Sequence, residues 1–449
     1  MTNIKFDFSK IGGKIKPMNC VNNGPVEGGV RELPNNFDTY KAAKFPYARN
    51  HDAALCAYPN REHLVDVHRI FKNFGADVND PKSYLFVPTD LHLKVTIDAG
   101  TKPFYRLGPS IEHYYKVGTY PPKDYIKWAQ ICEHIIMHYN EGWADGFHYG
   151  IEYWELWCEP DVKNADGTRP MWQGTEEQFC EFFATAIKYL KNRFPNLKFG
   201  GPGFARAVGK PFFDAFFTHM KETNAPLDFY TWHRYTDNLE DLEKHIRGAR
   251  EMADRYGYTN AESILDEFNY NAGVMYGETF QKTIKAINSI KGASYTSAAM
   301  SVGQYAPLDM LMYYGVDPTS LFNGIFKYVN HEPNKTYYIY EMFRDMKELG
   351  TYVEVPYSQE NIYSCGATDN KGNYAFTLTY FDNDDEAPAK DICLEFNNNS
   401  EKVKVSYYLL DEAHDNELLR EEIFTAEQFK AYLHMGLYTT YFITVEPIE

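Results

Sequence analysis

Long apolar runs are missing from this 449-residue chain: none approaches the roughly 18 residues of a membrane-spanning helix, and the opening MTNIKFDFSK lacks a signal-peptide core. The expectation is a soluble protein, cytoplasmic as written, or periplasmic or secreted if a leader has been trimmed. Basic charge is also scarce. Lys and Arg number 45 against 62 Asp and Glu, giving a net charge of -17, whereas phosphate-rich partners require a basic face. Nucleic acid and membrane are therefore set aside as partners. Seven scattered cysteines with no CxxC pair build neither a disulfide framework nor a cysteine zinc site. Neither GxGxxG nor GxxxxGK[ST] opens a helical segment, which removes the obvious nucleotide-binding sheets, and no cofactor is expected. His134 and His138 stand one helical turn apart in EHIIMH without a third ligand, so no metal is expected either.

What is plentiful is aromatic: 16% of the chain, with 37 Tyr. Apolar strand-like runs recur at 14–20, 44–49, 102–107, 150–158, 197–200, 228–233, 263–267 and 308–314. Between them, amphipathic spacing predicts helices over 125–139, 176–193, 211–221, 239–256, 280–290 with a continuation toward 302, and 335–349. Eight strands alternating with helices at roughly 30 to 40 residues per unit predict an α/β fold, a closed (β/α)8 barrel. After Gly350 the texture turns to short alternating strands separated by DNKG, DNDDEAPAK and NNNS. Residues 12–350 are therefore expected to form the barrel. Residues 1–11 and 351–449 are expected to form an antiparallel β-sandwich beside it.

The stretch GIEYWELWCEPD, residues 150–161, reads as a buried strand stopped by Pro160, which leaves Glu159 at its carboxyl end. Barrels hold their catalytic groups at that end. Glu267 in SILDEFNY ends the seventh run, three βα units later, so the two acids can face each other across a barrel mouth. Paired carboxyl groups flanking a sugar bond are what glycoside hydrolysis needs, and indole faces stack on sugar rings. Strand alternation points Asp266 and Glu267 to opposite sides and does not choose between them. It places Glu155 on the face of Glu159, where an inward arginine such as Arg106 is the expected partner.

The segment Trp154-Glu155-Leu156-Trp157-Cys158-Glu159-Pro160-Asp161 resembles the WExWNEP(N/D) motif of the clan A retaining glycosidases. Together with Asp266-Glu267-Phe268-Asn269, Arg49-Asn50-His51-Asp52 and the carboxy-terminal sandwich, it resembles glycoside hydrolase family 39, which includes β-xylosidases and α-L-iduronidases. That resemblance implies Glu159 as acid/base, Glu267 as nucleophile, and Arg49, His51, His233 and Tyr235 as contacts to the nucleophile or sugar. The implied activity is a retaining exo-glycosidase acting on terminal pentose-like sugars of an oligosaccharide or glycoside. A glycan-binding barrel with little turnover, or an endo-acting or arabinose-releasing clan A hydrolase, stands as the alternative.

Two positions depart from the pattern. Cys158 occupies the place of an asparagine whose amide contacts the sugar 2-hydroxyl, and a thiol is a weak donor and acceptor. Arg106 stands where an acid is expected, which implies a rearranged subsite. Trp157 either floors the pocket or packs the barrel top, and Tyr314 is a further candidate to line it. Homo-oligomer formation is left open.

Overall fold

The structure is a computed structural model that describes residues 1–26, 35–50, 65–110, 118–206, 211–274, 276–397, 402–425 and 428–448. The chain first lays down β1 (Thr2–Asp7) and β2 (Ile11–Lys14), which both join the distal module. It then builds eight parallel strands: β3 (Cys20–Asn22), β4 (Tyr47–Arg49), β5 (Lys102–Leu107), β6 (Tyr153–Leu156), β7 (Lys198–Phe204), β8 (Phe229–Tyr235), β9 (Glu262–Asn269) and β10 (Met310–Tyr313). These pair in chain order, and β10 returns to β3, closing the barrel. A layer of Cys20, Phe104, Tyr153, Phe229, Ile264, Met310 and Met312 fills its interior, so the barrel is a packed core and not a pore.

Helices α1 (Phe37–Ala43), α2 (Val67–Ile70), α3 (Val87–Asp98), α4 (Tyr125–Asn140), α5 (Glu176–Arg193), α6 (Pro211–Glu222), α7 (Leu239–Arg255), α8 (Gly277–Ile287), α9 (Ile290–Tyr305) and α10 (Lys335–Leu349) accompany the strands. Local sequence explains the best-defined of them. In α5, Thr175 and Gln178 form a reciprocal capping box, Glu176 and Glu177 occupy the positive end, and Lys191 and Arg193 the negative end. Its Phe179, Phe183, Ile187 and Leu190 then bury one stripe. By contrast, α9 is buried on nearly every face. It lies between the barrel and the distal module, and Ser297 hydrogen-bonds Thr379 across that junction at 2.7 Å.

The distal module adds β11 (Thr351–Val353), β12 (Ser358–Gln359), β13 (Ile362–Thr368), β14 (Tyr374–Tyr380), β15 (Lys390–Asn397), β16 (Val403–Leu410), β17 (Asp415–Phe424), β18 (Gln428–Met435) and β19 (Thr440–Pro447). One sheet runs β17-β16-β19-β14-β13-β11-β2 and the other β1-β15-β18, with Phe6, Phe8, Phe376 and Phe396 packed between them. The expected barrel with a carboxy-terminal sandwich is thus what the chain forms.

Several details differ from the sequence expectation. The first barrel strand is not 14–20 but Cys20–Asn22, because Lys14 closes β2, which pairs with β11. The module therefore takes in the chain through Lys14, beyond residue 11. It is not wholly antiparallel either, since β1 and β15 run parallel. The expected long helix from 280 is split at Ser289, whose hydroxyl caps a new helix by accepting the Lys291 amide. Helix α3 escaped notice because its sequence, VPTDLHLKVTID, is rich in β-branched residues and shows no apolar stripe.

Candidate active site

Strand β6 ends at Leu156, and the next residues leave the extended conformation: Trp157 and Glu159 both take positive φ, 77° and 48°. Non-glycine residues adopt this region at a cost of about 1 to 3 kcal/mol, which surrounding contacts must offset. The backbone supplies them, the Trp157 amide donating to Leu107 O at 2.6 Å and the Glu159 amide to Gly203 O at 2.8 Å. This bend turns Glu159 into the barrel mouth. At Gly203, whose φ is 61°, an added Cβ would stand 3.1 Å from Glu155 and 3.2 Å from His233, so glycine is what lets β7 approach.

Arg49, at the carboxyl end of β4, is the hub. It is fully buried, its Nε lying 2.6 Å from Glu155 Oε2 and 3.0 Å from Asp266 Oδ2, and its Nη1 2.7 Å from Glu267 Oε1. Burial alone would lower its pKa, but Glu155, Asp266, Cys158 and Glu267 outweigh it and hold the guanidinium well above its ordinary value. Burial pushes the Glu155 carboxyl up against the pull of Arg49, whereas for Asp266 the same burial is overcome by Arg49 and His233, which hold it down. Glu155 is further fixed by the Thr231 hydroxyl at 2.6 Å.

His233, near the end of β8, joins the two acids. Its Nδ1 lies 2.7 Å from Glu159 Oε1 and 3.4 Å from Glu267 Oε2, while Nε2 is 3.6 Å from Asp266 Oδ1. Burial would lower the imidazole pKa, yet Glu267 and Asp266 raise it well above the ordinary histidine value, which favours the charged ring. Tyr235 donates its hydroxyl to Glu267 Oε2 at 2.8 Å. Arg49 on one oxygen and His233 with Tyr235 on the other thus bracket Glu267, and the two acids share a single imidazole nitrogen.

Comparison with known proteins follows that geometry. The family model for glycosyl hydrolases family 39 matches residues 48–303, more than half of the chain. The chain belongs to glycosyl hydrolases family 39. A β-xylosidase from Geobacillus stearothermophilus is 28% identical over 153 residues, 32% of this chain and 28% of that enzyme, so the aligned stretch spans about a quarter of the relative. A glucosidase from Croceicoccus marinus superposes over 100% of both chains with a TM-score of 0.79 at 19% identity. A monomeric β-xylosidase from Caulobacter crescentus does so over 100% of both chains with a TM-score of 0.72 at 15% identity. At these identities the two structures speak for the shared fold.

Within this family 39 chain, the structure gathers Arg49, Cys158, Glu159, His233, Tyr235 and Glu267 at one mouth. Tyr314 stands beside them, its ring 6.3 Å from that of Tyr235. His51 lies outside the described residues. Cys158 is buried with Sγ 3.6 Å from Arg49 Nη2. Trp157 is 1% exposed, its indole N–H donates to Met171 O at 2.8 Å, and its ring packs edge-on against Trp172, so it supports the mouth from behind.

Arg106 does not pair with Glu155 as expected. Its Nη2 bonds Asp66 at 2.9 Å and Ser110 at 2.7 Å, because Arg49 has already taken Glu155. The alternation expected at Asp266 and Glu267 also fails, since both reach Arg49. A bulge is the cause: Trp232 pairs with Leu265 and His233 with Glu267, leaving Asp266 as the extra residue.

Three further residues were not singled out in the sequence. Asn22 donates to Asp266 O at 2.7 Å and accepts from Arg49 at 3.3 Å, Thr231 holds Glu155, and Asp66 anchors Arg106. Only Asn22 carried a signal, as the first residue of the NNGP turn after a strand. Among the described residues, Cys158, His233 and Glu267 offer metal-ligand atoms within 4.8 Å of one another. Arg49 contacts both Glu267 and Cys158, so a cation already occupies that position. His134 and His138 are engaged elsewhere, with Gln130 O, and with Trp143 O and Asp90.

Proposed function

We infer that this family 39 chain is a retaining exo-glycosidase that releases a terminal pentose-like sugar. The observation that carries the reading is the shared His233 nitrogen, within 3.4 Å of both Glu159 and Glu267. Carboxyl groups of retaining pairs stand about 5 to 5.5 Å apart, and those of inverting pairs about 6.5 to 9.5 Å; one imidazole bridging both acids supports the closer arrangement.

Glu267, bracketed by Arg49, His233 and Tyr235, is oriented as the nucleophile. Its carboxylate attacks the anomeric carbon while Glu159 gives its proton to the departing glycosidic oxygen, leaving a glycosyl ester on Glu267 and the free alcohol. Glu159, now ionised, takes a proton from water as that water attacks the same carbon. The ester breaks, the sugar leaves, and both acids regain their starting states.

The β-xylosidase relative supports a β-linked pentoside as the first class to try. Cys158 favours a different demand at the sugar 2-position, because a thiol already engaged by Arg49 gives little to a hydroxyl. The experiment is release of aryl alcohol from a panel of β-xyloside, α-L-arabinofuranoside, α-L-arabinopyranoside, β-galactoside and α-L-iduronide. The expected result is turnover of at least one member, abolished in Glu267→Ala. Oligosaccharide binding by calorimetry with no turnover on any member would instead favour a glycan-binding barrel.

A further inference from the structure

The barrel has a second mouth, at the amino ends of its strands, opposite Glu159 and Glu267. There a cavity of about 560 Å³ is lined by five lysines, Lys14, Lys16, Lys44, Lys102 and Lys347, against only two carboxylates, Glu262 and Asp309. In a chain of net charge -17 this is a local reversal of sign. The two acids are already engaged. Glu262 accepts from Lys198 at 2.8 Å and from the Tyr153 hydroxyl at 2.9 Å, and Asp309 accepts the Ser263 amide at 2.7 Å.

The lysines divide into two groups. Lys44 pairs with Glu348 at 2.6 Å, and Lys16 donates to the carbonyls of Gly303 and Ala306, closing the end of α9. Lys14, Lys102 and Lys347 have no carboxylate within ion-pair distance among the described residues, Lys102 having only the Tyr47 ring 5.8 Å away. Lys347 lies in the last turn of α10 and complements that helix dipole. That explanation does not extend to Lys14 and Lys102, which stand at the end of one strand and the start of another. Burial lowers the Lys347 pKa; Cys20 opposes this, and the neighbouring charges of Lys14 and Lys102 push it further down.

We propose that this amino-terminal mouth is a binding site for a phosphate-class oxyanion carrying two or more negative charges, held by Lys14, Lys102 and Lys347. Ammonium groups bind phosphate as point charges, and charge-assisted contacts to three of them are what such an anion requires. The volume exceeds that of a bare phosphate and admits a phosphorylated small molecule, with Phe45 and Tyr47 as its apolar wall. Binding here is independent of glycoside turnover, since the two sites sit at opposite ends of the strands.

The test is calorimetric titration of the purified protein with sodium pyrophosphate at neutral pH, against sodium chloride of matched ionic strength. Lys14 and Lys102 are exposed, so Lys14→Gln with Lys102→Gln leaves the fold intact, and Lys347→Met is run separately. The expected result is saturable binding by the parent chain that weakens at least about tenfold in the double variant, with aryl glycoside turnover unchanged. Absence of saturable heat, equal affinity in the double variant, or an equal response to chloride would overturn the proposal.

Discussion

Nδ1 of His233 stands 2.7 Å from Oε1 of Glu159, and Glu267 shares that nitrogen at 3.4 Å. One nitrogen reaching both carboxyl groups holds them close together at the mouth, the short spacing that double displacement needs. Glu159→Gln removes the proton donor and keeps the shape. Turnover of glycosides with poor leaving groups should fall by about 10² to 10⁴, and turnover of activated aryl glycosides should fall far less in its first step. Steady-state rates on a leaving-group series check this, and an equal loss across the series would count against the acid role.

Arg49 answers three buried carboxylates at once. Arg49→Met should destabilise the chain by about 3 to 5 kcal/mol at neutral pH, because it leaves those charges uncompensated. Asp266, held down by Arg49 and His233, then loses its main support, its pKa rises, and acid partly repairs the defect by protonating it. Urea unfolding at several pH values should show the gap to the parent chain narrowing as pH falls. A gap that is constant with pH would mean lost packing and not lost charge.

Asp161 accepts the Ala205 amide at 2.9 Å, yet burial, aided by Glu159, pushes its carboxyl up to about 6 against the lowering pull of that amide. A raised folded-state value means that the protonated form stabilises the fold below about pH 4, and that this contribution is lost as pH rises to 6. Asp161→Asn keeps the acceptor without the charge. It should raise stability by about 2 to 3 kcal/mol above pH 6 and change it little below pH 4. Denaturation midpoints across that window decide the matter, and a gain confined to low pH would reverse the assignment.

Cys158 carries a thiol that Arg49 already contacts. Cys158→Asn restores a two-sided amide, and hydrogen bonds to the 2-hydroxyl strengthen in the transition state. The variant should gain about tenfold or more in kcat/KM on aryl β-xyloside relative to its other substrates. An unchanged ranking of the panel would show that position 158 does not set specificity.

The architecture was legible because eight apolar runs alternate with amphipathic ones, a rhythm of local composition that each element carries within itself. Glu159 was legible because it follows such a run at a strand end, whereas alternation left Asp266 and Glu267 both open and only the family resemblance pointed to Glu267. The partners were not. Glu155 bonds Arg49 and not Arg106, a choice fixed by long-range pairing around the barrel. Asp266 turns to the same cation as Glu267 through a bulge that leaves no mark in strand periodicity. Lys14, Lys102 and Lys347 meet only because the barrel closes, so nothing local announced them.

The anomer released first tests the central claim most directly. Proton NMR of an aryl β-glycoside hydrolysed by the parent chain, followed before mutarotation, reads the stereochemistry of the new bond. Double displacement through Glu267 and Glu159 gives the β-anomer first. Initial appearance of the α-anomer would contradict the assignment of Glu267 as nucleophile and require a single displacement by water.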